Sequence, residues 1–505
     1  MPTKVTGVLS RDTRGHMVDI ECRLSRNLPT IVVIGAAGRS VGESRDRLRG
    51  AFASSGLELP KKRITLNLAP ADLPKTESSL DLGMAVSILA ASGQTPLPDP
   101  GTVVIGELSL DGIIRPVTGV ISKILAARRR GYTDFIIPAG NQLQAQLVPS
   151  VTLWPAANLK DVYHHLSGTR LLPRVATGGG KTPPVSAELP QGQVQLHDIV
   201  GQDQAKRALE IAAAGGHNLM LIGSPGTGKT MLARALAGLL PPLTQEETLE
   251  VTQLHSLTSS QSTLFVRPPL RAPHHGCSTS ALIGGGPLLR PGEISLAHRG
   301  VLLLDEFPEF DRVSLEALRQ PLEDRCISVA RLSGSVRYPA HCMLVATANP
   351  CPCGYQGSRR GDCQCDVGAL NRYKHRLSGP LMDRLDLFAA ADEIDYKRLL
   401  RPPDGPQQTT EVRQRVLRAR ARQRQRYGGS TLNSDLTNDQ MRKYIKLEPA
   451  ARRLVNQQAK AQQLSARAYL RTVRVAQTIA DLEESATIAD RHVSEALAYK
   501  RRAAV

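Results

Sequence analysis

A glycine-rich segment at residues 223–230, with the sequence GSPGTGKT, constrains the fold more than any other feature of the chain. It matches the phosphate-binding pattern G-x-x-x-x-G-K-[S/T]. An apolar run (NLMLI) precedes it and an amphipathic run (MLARALAGLL) follows it, which predicts a buried strand, a tight loop and a helix. This is the context that a phosphate loop requires, so we predict an α/β core with a parallel sheet between helices.

The residues of this loop have distinct expected roles. Glycine lets the backbone wrap closely around a phosphate with its N–H groups pointing inward, and the following helix adds its positive amino end. The lysine is expected to reach the β- and γ-phosphates of ATP, and the threonine to offer its hydroxyl to Mg²⁺. The nucleotide-binding residues would be Gly223, Ser224, Pro225, Gly226, Thr227, Gly228, Lys229 and Thr230.

Two later strands end in polar side chains that fit the same site. The apolar run Val301–Leu304 is followed by Asp305 and Glu306. We expect Asp305 to hold Mg²⁺ through its water shell and Glu306 to polarise the attacking water. Asn349 ends the next strand and could orient that water. Taken alone, the two acids could simply lie at the surface, and an asparagine before proline could simply form a turn.

The pattern of apolar residues divides the 505-residue chain into several domains. Residues 1–170 alternate strand-like and helix-like runs, which indicates a compact α/β domain. Residues 171–195 carry Gly, Pro and Ser with little apolar pattern, which indicates a linker. The nucleotide-binding core occupies residues 196–395, and the pattern from 396 to 505 is helical.

The composition favours a cytoplasmic protein that binds a polyanion. The chain shows no apolar run long enough to span a membrane and no apolar stretch typical of a signal peptide. Its formal net charge of +18 favours a nucleic acid partner, contacted through phosphates. The segment Glu411–Tyr427 holds seven arginines on a predicted helix, which either touches phosphate or is a solvated basic surface.

Four of the eight cysteines form a C-x-C…C-x-C pattern in the loop at residues 351–365. Four converging thiolates suit a tetrahedral, structural Zn²⁺. The alternative is a reduced polar loop with incidental cysteines. The proposed zinc ligands are Cys351, Cys353, Cys363 and Cys365.

Several longer segments resemble one bacterial family. DIVGQDQAKRALEIAAAGGHNLMLIGSPGTGKT, LRAPHHGCSTSALIGGGPLLRPGEISLAHRGVLLLDE, ANPCPCG and LSGPLMDRLDLF closely resemble the magnesium-chelatase-like AAA+ ATPases called YifB or ComM. The resemblance covers essentially the whole chain. It implies a Lon-protease-like first domain, a P-loop AAA+ core and a helical lid like that of magnesium chelatase motor subunits. It also implies a hexameric ring and, for ComM members, a DNA helicase that drives branch migration during natural transformation.

The same resemblance implies roles for arginines. Arg384 matches the arginine finger that enters the neighbouring subunit's site, with Arg376 as the fallback, and Arg467 matches the sensor-2 arginine that contacts the γ-phosphate. Residues 270–300 correspond to the insert that faces the pore of magnesium-chelatase-like rings. We also expect the segment 324–339 to form a hairpin before the Asn349 strand. Its Arg331 and Arg337 would then point toward the ring centre; the alternative is a plain surface hairpin.

The Lon-like resemblance does not carry peptidase chemistry with it. Ser79 lies in the segment that resembles the nucleophile region of Lon, but Ile121 stands where the lysine base belongs. Lys123 is two positions away and is expected to face elsewhere. Without a positioned base, Ser79 is an ordinary hydroxyl, so we predict a non-proteolytic domain.

Three functions remain open from the sequence. The first is a ring helicase that translocates on DNA. The second is a magnesium-chelatase-like or MoxR-like remodelling ATPase that acts on a protein or a metallocofactor. The third, an ATP-dependent protease, is disfavoured because the lysine base is missing.

Overall fold

A computed structural model describes residues 3–10, 13–35, 39–73, 75, 77–177, 194–261, 263–286, 289–331, 334–359, 361–376, 381–393 and 407–500. The chain forms two compact units, each assembled from separate stretches. The N-terminal unit comprises Met1–Val185, Thr244–Val266 and Gly286–Pro291. The P-loop unit comprises Ser186–Leu243, Arg267–Gly285 and Gly292–Val505.

A mixed sheet of eight described strands organises the N-terminal unit, in the order β8-β7-β6-β5-β1-β2-β4-β3. Apolar residues alternate along β4, so one of its faces lies in the core. Strand β8 falls inside the predicted linker, which therefore begins later than expected; residues 178–193 of that linker lie outside the described part. The strands are β1 Thr3–Ser10, β2 Gly15–Ser25, β3 Thr30–Ile34, β4 Arg63–Ala69, β5 Thr102–Val104, β6 Asp134–Pro138, β7 Val151–Ala156 and β8 Val175–Thr177.

Helices cover this sheet, and one of them comes from an unexpected part of the chain. The helix Gln245–Ser256 follows the phosphate-loop helix in sequence, yet it belongs to the N-terminal unit. The N–H of Gly119 donates to the carbonyl of Ser256 at 2.8 Å, and the Gln253 amide donates to the Ser122 hydroxyl at 3.0 Å. The other helices are Arg39–Ser55, Asp81–Ala91, Val120–Arg128, Gln142–Ala145 and Leu159–Leu166.

A parallel sheet forms the centre of the P-loop unit, as the alternating pattern predicted. Its described strands are arranged in the order β10-β11-β12-β9-β13, and every neighbouring pair is parallel. Strand β10 opens the segment 270–300, so the first residues of the expected insert are part of this sheet. The strands are β9 Leu219–Ile222, β10 Leu270–Arg271, β11 Val301–Leu304, β12 Met343–Ala348 and β13 Leu387–Ala390.

The C-terminal helices share one hydrophobic core with the sheet. Val416, Ala476 and Ile479 belong to the same buried cluster as Leu219 and Leu303. The helices at the carboxyl end are therefore anchored on a face of the sheet by apolar packing. The helices of this unit are Asp203–Gly215, Lys229–Leu239, Thr279–Ile283, Glu293–Leu296, Arg312–Ala317, Arg319–Asp324, Val367–Arg376, Gln407–Tyr427, Asn438–Tyr444, Pro449–Ala461, Ala466–Leu482 and Asp490–Ala498.

The arginine-rich helix Gln407–Tyr427 is a packing element. Val412, Val416 and Ala419 form its buried stripe. Most of its arginines bind partners within the unit, which favours the interpretation without phosphate contacts. These pairs are Arg415 with Glu210, Arg418 with Glu484, Arg420 with the Ala213 carbonyl, Arg422 with the Ser485 carbonyl and Arg426 with Asp481.

Within the described ranges, none of the helices combines the length and the apolar character that crossing a bilayer requires.

Candidate nucleotide-binding site

The phosphate loop joins the carboxyl end of β9 to the helix Lys229–Leu239. Gly226 and Gly228 have φ angles of 75° and 85°, a region that glycine adopts without steric cost. Gly223 packs tightly, because an added Cβ would lie 2.3 Å from the carbonyl oxygen of Ala391. The local sequence thus fixes a loop whose backbone wraps around one point in front of a helix amino end, which suits a phosphate.

Lys229 and Asn349 meet at this edge of the sheet. The Lys229 amine donates to the Asn349 side-chain oxygen at 3.0 Å and to the carbonyls of Gly223 and Ser224 at 2.7 and 2.9 Å. Burial lowers the pKa of Lys229, and the charges of Asp305 and Glu306 partly oppose that change. The structure therefore brings together the cation of the phosphate loop and the polar end of β12.

Thr230 and Asp305 also come together. The Thr230 hydroxyl lies 2.9 Å from one Asp305 oxygen and 3.1 Å from the other. A hydroxyl beside a carboxylate at a phosphate loop is the donor set that Mg²⁺ takes in nucleotide sites. These two residues could therefore hold the metal that accompanies a triphosphate.

Thr347 is a site residue that the sequence analysis missed. Its hydroxyl donates to Asp305 at 2.6 Å and accepts from the backbone N–H of Glu306 at 3.0 Å. One buried hydroxyl thus joins the Asp305 carboxylate to the backbone of Glu306. A threonine inside a β-strand is usually a packing residue, so the local sequence holds no signal for this role.

Glu306 has a left-handed backbone conformation, with φ 54° and ψ 48°. Such conformations are uncommon outside glycine and concentrate at functional sites. The Glu306 side chain is mostly exposed, and its carboxylate lies 3.7 Å from Nδ1 of His275. The His275 ring packs edge-on against Phe310. The sequence analysis did not single out His275, which follows β10 in the segment 270–300.

Arg384 and Arg467 lie together at the edge of the parallel sheet where β9 begins, opposite the edge that carries the phosphate loop. Both guanidinium groups bind Glu323: Arg467 contacts Oε1 at 2.7 Å, and Arg384 contacts Oε2. The three side chains line a cavity of about 560 Å³. The Glu323 carboxylate therefore joins two residues that the sequence placed in separate motifs.

The contacts of Arg384 with β9 locate this pair relative to the phosphate loop. The carbonyl of Arg384 accepts a hydrogen bond from Asn218, which immediately precedes β9, whereas the phosphate loop follows β9. Four residues of β-strand span roughly 13 Å. In this structure the Arg384–Glu323–Arg467 group therefore lies near the amino end of β9, about one strand length from the phosphate loop of its own chain.

The other predicted arginines occupy different places. Arg376 is largely exposed and donates to the carbonyl of Pro308 at 3.2 Å, beside the segment that follows Glu306. The hairpin expected at 324–339 is confirmed as strands Cys326–Arg331 and Gly334–Pro339. Arg337 pairs opposite Ser328 in mid-strand, and its guanidinium lies 2.8 Å from the Cys326 sulfur. Arg337 therefore lies within its strand, whereas Arg331 is the last residue of the first strand.

The four cysteines of the loop converge as a metal site would require. All four sulfurs lie within 4.8 Å of one another. Three of the separations are 3.3, 3.6 and 3.7 Å. A tetrahedron with Zn–S bonds of about 2.3 Å has sulfur–sulfur edges of about 3.8 Å. This arrangement therefore fits a zinc ion with four thiolate ligands, from Cys351, Cys353, Cys363 and Cys365.

The Lon-like region of the N-terminal unit differs from expectation in one respect. Lys123 is fully buried, and its amine lies 2.9 Å from Oε2 of Glu77, the same oxygen that accepts from the Ser79 hydroxyl at 3.2 Å. The expectation that Lys123 faces elsewhere is therefore wrong. The amine also donates to the Thr118 carbonyl at 2.6 Å, and a lysine engaged as a donor is not a free base for Ser79.

Family comparisons agree with this architecture. Residues 195–399 match the family described as magnesium chelatase, subunit ChlI, residues 20–141 match subunit ChlI of Mg-chelatase, and residues 406–500 match its C-terminal part. A parallel sheet with a phosphate loop and these matches define a magnesium-chelatase-like protein of the AAA+ class, a class that implies ATP and Mg²⁺.

Full-length relatives refine that class. The chain is 41% identical to a protein named YifB of Escherichia coli K12 over 495 residues, which cover 96% of this chain and 94% of YifB. It is 40% identical to the competence protein ComM of Haemophilus influenzae, covering 97% and 96% of the two chains. A Lon protease of Salinispora arenicola is 27% identical over 175 residues, 32% of this chain and 22% of that protease. The chain belongs to the YifB/ComM family.

Proposed function

We propose that this protein is an ATP-hydrolysing ring motor that translocates on DNA and drives branch migration during recombination, in the cytoplasm of a cell that takes up DNA. The main observation in support of a motor is that one edge of a parallel sheet brings together Lys229, Thr230, Asp305 and Asn349. The relationship to a competence protein supports DNA as the track.

Each residue at this edge has a definable role in hydrolysis. The phosphate loop and Lys229 grip the β- and γ-phosphates, while Thr230 and Asp305 hold Mg²⁺. Glu306 polarises the attacking water, and Asn349 orients that water beside the γ-phosphate. Thr347 holds the Asp305 carboxylate and the Glu306 backbone in place for these roles.

Arg384 supplies the arginine finger to the neighbouring subunit, and Arg467 contacts the same γ-phosphate. Their position supports this division, because both lie at the edge of the sheet that faces away from their own phosphate loop. Head-to-tail contacts of this kind repeat until a ring closes, and the family resemblance suggests six subunits. Arg376 is the less suitable candidate, since it lies beside the Glu306 segment of its own chain.

DNA contact is assigned to basic residues outside the arginine-rich helix. That helix packs within its own unit, whereas Arg331 ends the first strand of the hairpin at 324–339. A motor that ignores sequence needs contacts to phosphates, which make binding strongly dependent on salt. In this proposal the four-cysteine site holds a structural Zn²⁺ and takes no part in catalysis.

A magnesium-chelatase-like remodelling ATPase that acts on a protein partner is the second candidate. The matches to magnesium chelatase subunits over most of the chain favour it. The deciding experiment is a branch-migration assay on a labelled four-way junction with and without ATP, alongside ATPase rates with duplex, forked and single-stranded DNA. The motor proposal predicts ATP-dependent branch migration and DNA-stimulated hydrolysis. Hydrolysis that no form of DNA stimulates would favour remodelling.

A further inference from the structure

The loop that carries the four cysteines packs directly on the phosphate loop. Gly354 lies against the ring of Pro225, so closely that an added Cβ would be 2.6 Å from two of the ring carbons. Pro225 is the third residue of GSPGTGKT. The cysteine loop is therefore one wall of the nucleotide-binding edge.

The same loop begins two residues after Asn349, and several bonds hold its start in place. The backbone N–H of Gly223 donates to the carbonyl of Ala348 at 3.2 Å. The hydroxyl of Tyr373 donates to the carbonyl of Asn349 at 2.9 Å, and the Asn349 side chain accepts from Lys229. A shift at the start of the cysteine loop would consequently move Asn349 and the phosphate loop together.

Regular secondary structure does not hold the described part of this loop in shape, and its anchors beside the cysteines include the Glu393 carboxylate, which accepts from the N–H of Arg359 at 3.1 Å. From Cys351 to Cys365 the described residues form no helix or strand. Cys351 is fully buried and accepts a hydrogen bond from the N–H of Gln356 at 3.3 Å, while the other three cysteines are partly exposed. A loop of this kind gains its fixed shape from ligand bonds when four thiolates close around a metal ion.

We propose that a zinc ion bound by Cys351, Cys353, Cys363 and Cys365 holds the cysteine loop against Pro225, so that nucleotide binding depends on metal occupancy. This inference rests on the proposed function, since it requires that residues 223–230 bind ATP. It assigns the zinc a positioning role: the metal acts on the triphosphate only through Gly354, Pro225 and Asn349.

Two glycines of the loop allow a matched test. Gly354 and Gly357 both have positive φ, 85° and 75°, so an alanine strains the backbone similarly at either position. Only Gly354 faces Pro225; an added Cβ at Gly357 would meet no atom within 4 Å. We expect G354A to weaken binding of a fluorescent ATP analogue about tenfold with one zinc per chain retained, and G357A to change it less than about twofold. Equal effects of the two variants would overturn the contact between the loops.

The metal is tested separately on the full-length protein. Elemental analysis should find one zinc per chain in the wild type and less than about a tenth of that in the variant C363S/C365S, whose affinity for the ATP analogue should fall about 10 to 100-fold. Removing zinc from the wild type with a chelator should weaken analogue binding equally, and adding zinc back should restore it, a recovery that a misfolded variant cannot mimic. Zinc-free wild type, or iron in its place, overturns the inference, as does unchanged binding after zinc removal. A wild type that carries zinc but binds no ATP analogue would instead refute the proposed function.

Discussion

The hydroxyl of Thr230 lies 2.9 Å from the carboxylate of Asp305, although 75 residues separate them in the chain. The parallel sheet produces this meeting, because Thr230 follows β9, Asp305 follows β11, and the carboxyl ends of parallel strands share one edge. From this relationship the roles of the neighbouring residues can be tested one at a time.

Substitutions of Lys229 and Glu306 should separate binding from hydrolysis. K229A removes the cation that grips the phosphates, so binding of the ATP analogue should be lost with turnover. E306Q keeps the shape of the side chain but removes the base, so binding should persist while turnover falls about 10²- to 10⁴-fold. Analogue binding and phosphate release measured on both variants check this assignment. Continued hydrolysis in E306Q would show that another group activates the water.

Replacing Thr347 by valine should impair the site without touching either acid. The substitution leaves the Asp305 carboxylate and the Glu306 N–H without the hydroxyl that joins them, a loss of about 1–3 kcal/mol for unsatisfied buried groups. We expect turnover to fall about tenfold or more and the Mg²⁺ concentration for half-maximal rate to rise. T347S keeps the hydroxyl and is the control. Equal turnover rates in T347V and T347S would show that the Thr347 hydroxyl has no role in the site.

Glu323 is expected to position both trans arginines. In E323Q the two guanidinium groups lose their shared carboxylate, so turnover should fall about 10- to 10²-fold with nucleotide affinity unchanged. E323D should recover part of the rate. The control is E316Q, since Glu316 pairs with Arg319 on the exposed surface at 2.9 Å and lies outside the cavity. A similar loss in E316Q would mean that the Glu323 effect is nonspecific.

Asp435 should make the P-loop unit sensitive to acid. Burial alone would raise its pKa, but the hydrogen bond and charge of His341 together with the charge of Arg325 lower it from 3.8 to about 2. The stabilisation, roughly 2–3 kcal/mol, is present above pH 4 and is lost as the pH falls through the folded-state value. Thermal unfolding followed at pH 6 and pH 3 should therefore show a smaller loss of stability in D435N than in the wild type. The same loss in both proteins would contradict this assignment.

The sequence predicted those features whose signal lies within a short stretch of the chain, and it missed those that depend on contacts between distant residues. The phosphate loop, β9 and β11 are dense local patterns, and the structure brings their polar ends together as expected. The roles of Thr347 and Glu323 depend on partners that only the folded sheet supplies. The number of arginines alone left two interpretations of the arginine-rich helix open. Its ion pairs could not be predicted, because partners such as Arg415 and Glu210 are about 200 positions apart in the chain. Likewise, nothing in the helix Gln245–Ser256 itself indicates that it packs in the N-terminal unit.

The central claim is that each ATP is bound by one subunit and completed by an arginine of the next, and mixing two inactive variants tests it most directly. K229A lacks a working phosphate loop but keeps Arg384, whereas R384A has the opposite defect. In rings assembled at random from equal amounts, about one interface in four joins an intact loop to an intact arginine, provided that contacts are head-to-tail. We predict that each variant alone is inactive and that the mixture recovers up to about a quarter of the wild-type ATPase rate. A mixture as inactive as its two components would contradict the account.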